Sequence, residues 1–209
     1  MKARILFLAI VMLTFLLPGA VMAQQFFDYF GMTLLPNGVG DSLTMYAEVR
    51  DPAPAVAPLP LDYDNYQYTL VITDLELVAD GFPEIYANGT ITLYEDNGTT
   101  ADYASPATFT DGTAILVGAV SMEVYHLSNV IPTNTTGNGT GTVDWIGGTN
   151  LNDFAPEDQL GWTFLVATNS GSGLLEPGYD EVWDGKVEPQ DIIVSTDRVT
   201  WDKLKAYLK

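Results

Sequence analysis

Apolar and polar residues alternate with a period of two along most of this chain. In Ser42–Arg50, Met45, Ala47 and Val49 share one face, while Thr44, Tyr46, Glu48 and Arg50 share the other. Successive side chains of a strand point to opposite sides, so this pattern predicts strands with one buried face. The same reasoning places strands at 66–78, 85–87, 90–95, 114–117, 121–127, 142–146, 162–168, 182–187 and 191–194. They are short, turn-rich sequence separates them, and no long helical pattern intervenes. The expected fold is therefore all-β: an antiparallel β-sandwich or jelly roll, in preference to βαβ units.

Turn chemistry recurs as Asx-Gly-Thr: Asn88-Gly89-Thr90, Asn97-Gly98-Thr99, Asp111-Gly112-Thr113 and Asn138-Gly139-Thr140. Asn or Asp before Gly suits the positive φ angles of tight hairpins, so these triplets are expected to be hairpin turns. Asn88, Asn97, Asn138 and Asn134 also match the Asn-x-Thr glycosylation pattern. The four-proline stretch at 51–60 and the Thr/Asn/Gly stretch at 132–141 are expected to be loops.

The amino terminus reads as an address. Lys2 and Arg4 precede an apolar run from Ile5 to Leu17, broken by Pro18 and Gly19, and Val21-Met22-Ala23 suits a cleavage site. That is the pattern of a secretory signal peptide over 1–23. Its apolar run is shorter than the roughly 20 residues of a membrane span. The mature chain is expected to be exported without an integral membrane helix, to the periplasm, cell surface or medium.

Charge sharpens the picture. The 209 residues include 27 acidic and 8 basic side chains, one histidine and no cysteine. Disulfides, thiolate catalysis and cysteine-held metals are excluded. A net charge of −19 opposes nucleic-acid binding, which needs clustered Lys and Arg. The predicted domain at 24–197 carries nearly all of the acids, with only Arg50 and Lys186 against them. The tail at 198–209 is basic, with Asp202 its only acid. On a helical wheel Trp201, Leu204, Tyr207 and Leu208 fall within an arc of about 120°, which predicts a short amphipathic helix that docks on the domain itself, serves as a partner-binding or export-sorting tail, or touches a membrane surface.

Candidate chemistry is sparse. His126 falls in phase with Met122 and Val124, and no Gly-x-Ser-x-Gly elbow is present, so a structural histidine is expected rather than a catalytic triad. Paired carboxylates are the only catalytic groups in quantity, and no compact motif marks a pair. Calcium is a candidate cofactor, because hard cations prefer clustered oxygen ligands in loops. The candidate ligands are Asp62, Asp64 and Asn65, then Glu95, Asp96 and Asn97, then Asp180, Glu181 and Asp184. For stacking on a sugar ring the candidates are Tyr63, Tyr66 and Trp183, the last placed at the surface by its charged neighbours. Trp162, in phase with Phe164 and Val166, is expected in the core.

The leading expectation is an exported, non-catalytic surface or extracellular protein, structural or adhesive and open to self-association. The alternative is a carbohydrate-binding module, with or without calcium, and a secreted carbohydrate-active enzyme follows. A small outer-membrane barrel comes last, since the proline-rich loop and charged tail fit poorly with membrane strands of about ten alternating residues.

Overall fold

A computed structural model describes residues 27–50, 59, 61–128 and 135–189. Eight strands run in chain order: β1 (Phe27–Leu34), β2 (Ser42–Arg50), β3 (Gln67–Ala79), β4 (Glu84–Asp96), β5 (Thr113–Ser128), β6 (Thr135–Gly147), β7 (Trp162–Asn169) and β8 (Glu181–Glu188). Each pairs antiparallel with the next, and β1 pairs with β8 from Phe27↔Val187 to Thr33↔Glu181. The result is a closed up-and-down barrel. The all-β, antiparallel expectation stands, but the sandwich or jelly roll is corrected. One buried face per strand is common to both architectures, and the β1–β8 pairing that distinguishes them leaves no mark in either strand alone.

Alternation builds the core. Tyr29, Met45, Ala47, Leu70, Ile72, Leu93, Val124, Phe164 and Trp183 point inward and are fully buried or nearly so. Trp162 is core, as its phase indicates. Two predicted pairs of short strands are single long ones: β4 spans 85–87 and 90–95, and β5 spans 114–117 and 121–127. The gap in β4 is a bulge between Tyr86 and Gly89, where Asn88 takes φ 61°. Asn88-Gly89 therefore uses positive φ as expected, but inside a strand rather than at a hairpin.

The loop expected at 132–141 is corrected from Thr135 onward, because 135–141 is the first half of β6. Its odd positions face inward as Gly137, Gly139 and Gly141, then Val143 and Trp145. A Cβ at Gly141 would lie 2.4 Å from the Ser121 carbonyl oxygen, and one at Gly139 would lie 2.9 Å from that of Glu123. Glycine here lets β6 approach β5 closely, so Asn138-Gly139-Thr140 is strand and not turn. Of the four triplets, Asn97-Gly98-Thr99 lies in the β4–β5 loop and Asp111-Gly112-Thr113 leads into β5.

The barrel has two unlike ends. At the lower end the β6–β7 connection folds Phe154 against Trp162, centroids 5.5 Å apart, and Trp145 meets Trp162 at 5.7 Å. Trp162 Nε1 donates to the Asp158 carbonyl at 2.6 Å. The β4–β5 loop turns back over the outer wall, burying Phe109 against Val71, Tyr46 and Tyr103. Thr69 Oγ1 fastens it by donating to the Phe109 carbonyl at 2.7 Å. At the upper end lie the starts of β4 and β8 and the end of β5, where the interior turns polar. The predicted signal peptide, the strand at 191–194 and the tail helix with Trp201, Leu204, Tyr207 and Leu208 lie outside the described residues, as does nearly all of the proline-rich stretch.

Candidate functional site

Two places gather polar groups. The first is inside the upper end, where β5 carries His126 between carboxylates from two other strands. Its Nδ1 lies 3.1 Å from Glu84 Oε1 on β4, and its Nε2 lies 3.2 Å from Glu181 Oε2 on β8. Tyr86 donates its hydroxyl to Glu84 Oε2 at 2.6 Å, and Trp183 Nε1 donates to Glu181 Oε2 at 3.1 Å. The hydrogen bond to Glu181 chiefly holds the His126 pKa up, at about 9, against the opposing effect of burial, and Glu84 adds to it. The imidazole is thus an imidazolium at neutral pH and donates from both nitrogens. Burial pushes the Tyr86 hydroxyl far up, so it stays a neutral donor. Beside the cluster Thr168 Oγ1 is buried without a hydrogen-bond partner among the described residues.

His126 therefore points inward, as its phase suggests, and is bonded on both nitrogens. Glu181 was expected as a cation ligand and is instead 2% exposed and bonded to His126 and Trp183. Trp183, expected at the surface, is fully buried. Charged neighbours misplace it: Asp184 is one residue on and points out, while Glu181 is two residues back and shares its inward face. The acids of 180–184 accordingly go to three different places. Asp180 Oδ2 accepts from the Leu35 amide at 2.8 Å, Glu181 enters the barrel, and Asp184 stands on the outer wall.

The second place is a groove of about 240 Å³ at the lower end, lined by residues 63–67 and 96–100. It joins two acidic loops far apart in the chain, because β3 and β4 pair from Gln67↔Asp96 onward and bring their flanks together. Tyr63, Asp64, Asn65 and Tyr66, all singled out by the sequence, lie in it with Asp96 and Asn97. Tyr63 stands edge-on to Tyr68 at 5.1 Å, and Tyr66 packs against the core. Asp96 is held by the Thr99 and Gly98 amides at 2.8 and 3.1 Å, and the Thr99 bond chiefly lowers its pKa. Gln67 Oε1 accepts from the Ala101 amide at 3.1 Å.

Two other acids of these loops are drawn elsewhere. Asp62 Oδ2 accepts from Asn65 Nδ2 at 2.8 Å, and Glu95 Oε2 accepts from the Tyr68 hydroxyl at 2.8 Å. Among the described residues no three His, Asp or Glu side chains converge on a position that would hold a metal ion. No known protein family matches the chain, nor does any curated protein or solved structure. The two sites must therefore be read from their own chemistry.

The sequence reading missed Glu84 and Tyr86 as partners of His126, and Gln67 as a groove residue. A signal for the first exists: Glu84-Ile85-Tyr86 and Glu181-Val182-Trp183 both place a carboxylate two residues before an aromatic donor. It is not decisive, because Glu123 and Tyr125 show the same spacing and the same bond, at 3.2 Å, on the outside of β5.

Proposed function

We propose that the protein is an exported, non-catalytic extracellular barrel with a structural or adhesive role. The observation that carries this reading is the closure of the interior cluster on itself. Both His126 nitrogens are occupied by carboxylates, and those carboxylates also accept from Tyr86 and Trp183. A general base needs a free lone pair aimed at a substrate proton, and a doubly bonded imidazolium has none. The groups best suited to proton transfer instead tie β4, β5 and β8 together. Export rests on the basic, apolar and small-residue order of 1–23, which is an argument from sequence.

The test uses residues 24–209. Chromogenic esters, glycosides and peptides should show no turnover, while the protein sediments as a multimer or is retained on the envelope of the producing cells after washing in high salt. Turnover that disappears in a folded Glu84→Gln or Glu181→Gln variant would replace this reading with an enzyme.

A second reading, a carbohydrate-binding module, is favoured by the lower-end groove. Two tyrosines, three side-chain amides and carboxylates from separate loops meet there, as in sites that combine an apolar wall with a few placed polar groups.

A further inference from the structure

We propose that the lower-end groove binds an uncharged or amine-bearing saccharide directly, with Tyr66 as its wall and Asp64 and Gln67 as its hydrogen-bonding edge. This rests on the carbohydrate-binding reading and gives it a site and a ligand class.

Four features of the groove support the assignment. Its volume, about 240 Å³, lies just below the roughly 300–1,000 Å³ of pockets for drug-sized molecules, which suits one or two sugar rings. Its polar groups are already oriented. The Ala101 amide fixes the Gln67 side chain through Oε1, leaving the Nε2 hydrogens for another acceptor, and two backbone amides fix Asp96. Groups held in place by the fold lose little further freedom when a ligand binds.

Asp64 and Tyr66 supply the complementary functions. The Asp64 carboxylate is exposed, and among the described residues no side-chain hydrogen bond or ion pair engages it or the Tyr66 hydroxyl. A carboxylate accepts from two neighbouring hydroxyls, which is what adjacent alcohols of a sugar ring present. The Tyr66 ring is half-buried and packed on the core, so it offers a rigid surface with a polar tip.

Charge selects the class. Asp64 and Asp96 line the groove, and among the described residues no Lys, Arg or His does. Uronates and sulfated polymers would meet like charge both there and from the acidic body as a whole. Neutral sugars are indifferent to that field, and amino sugars are drawn by it.

The experiment presents residues 24–209 in EDTA-containing buffer to an array of neutral, amino, uronate and sulfated oligosaccharides. The strongest binder is then titrated against wild type, Tyr66→Phe, Asp64→Asn and, on the outer wall, Asp184→Asn. These substitutions remove one polar function without changing shape, so folding is preserved. Binding is expected on neutral or amino sugars. Tyr66→Phe should weaken it by roughly threefold to tenfold, and Asp64→Asn by roughly tenfold to a hundredfold, as for loss of a neutral and a charged hydrogen bond. Asp184→Asn should bind as wild type.

If wild type binds a glycan and both groove variants bind equally well, the groove assignment falls while the carbohydrate reading survives. Preference for sulfated or uronate chains would overturn the charge argument, and a requirement for metal would overturn direct recognition. Failure of wild type to bind any glycan removes both the groove site and the reading beneath it.

Discussion

Between Glu84 and Glu181, the His126 ring is protonated in the folded chain at a pH where a free histidine is neutral. Its pKa stands at about 9, against 6.5 for an unperturbed imidazole. A group whose folded pKa is raised stabilises the fold fully below the unfolded value, and the contribution fades as pH rises through the folded value. The groups facing it are Glu84 and Tyr86 from β4 and Glu181 and Trp183 from β8. With the ring 16% exposed near the mouth of the barrel, the linkage is worth about 1–3 kcal/mol after allowance for solvent screening. Urea midpoints measured from pH 6 to 9.5 should fall across that window in wild type and stay nearly level in His126→Gln. A wild-type profile as flat as the variant's would mean that the ring is neutral and the clamp uncharged. The inward position of His126 was legible, since it shares phase with Met122 and Val124. Its partners were not, because Glu84 reaches it through the pairing of β4 with β5 and Glu181 reaches it from β8 across the barrel interior.

Strand β6 shows how local chemistry and long-range packing can favour different structures. Its Gly-x-Gly-x-Gly run, 137–141, has the composition of a loop and contains an Asn-Gly pair that favours turns. Inside the barrel the same glycines are required sterically, for a Cβ at 141 would meet both the Ser121 carbonyl and the Met122 side chain, at 2.4 and 2.7 Å. Gly141→Ala should therefore cost about 2–3 kcal/mol, as overpacking a tight core does. Gly147→Ala on the same strand, whose new Cβ first meets Val117 at 3.6 Å, should change stability by less than about 1 kcal/mol. Urea unfolding at constant m-value separates the two. Equal losses would mean that strand propensity, and not contact with β5, governs β6. Strands β2 and β7 were readable almost to the residue because their alternation is uninterrupted. Strand β1 was missed: Gly31 and Thr33 stand where its pattern should carry apolar side chains. The halves of β4 were legible, but the bulge that joins them was not, and the halves of β5 are joined through Gly118, an inward position that carries no side chain. A bulge shifts the phase, and a phase shift in sequence resembles a break.

At the scale of the whole molecule, closure into an eight-stranded antiparallel barrel revives a comparison with outer-membrane barrels, on which the distribution of polarity bears directly. A membrane barrel carries an apolar band on its outer wall and a polar lumen. Here Trp145, Trp162, Trp183, Phe164 and Tyr29 fill the interior. The wall exposes Glu123, Asn138, Thr140, Thr142, Asp144 and Asp184 on three of its strands. Exposed large apolar residues sit in loops or at strand ends near the upper rim (Val39, Phe82, Leu127 and Leu174) or the lower rim (Ile146 and Leu160), where they do not form a mid-wall band. An acidic wall facing hydrocarbon would carry a desolvation cost at each of those carboxylates, whereas facing water it is already solvated. Residues 24–209, diluted from urea into detergent-free buffer, should therefore refold spontaneously. The buried tryptophans should regain blue-shifted emission and resistance to iodide, and the near-ultraviolet circular dichroism should be the same with or without micelles. Recovery of that signal only in micelles would place lipid, not water, against the outer wall. It would also remove the water-facing surface on which both the adhesive reading and the saccharide groove depend.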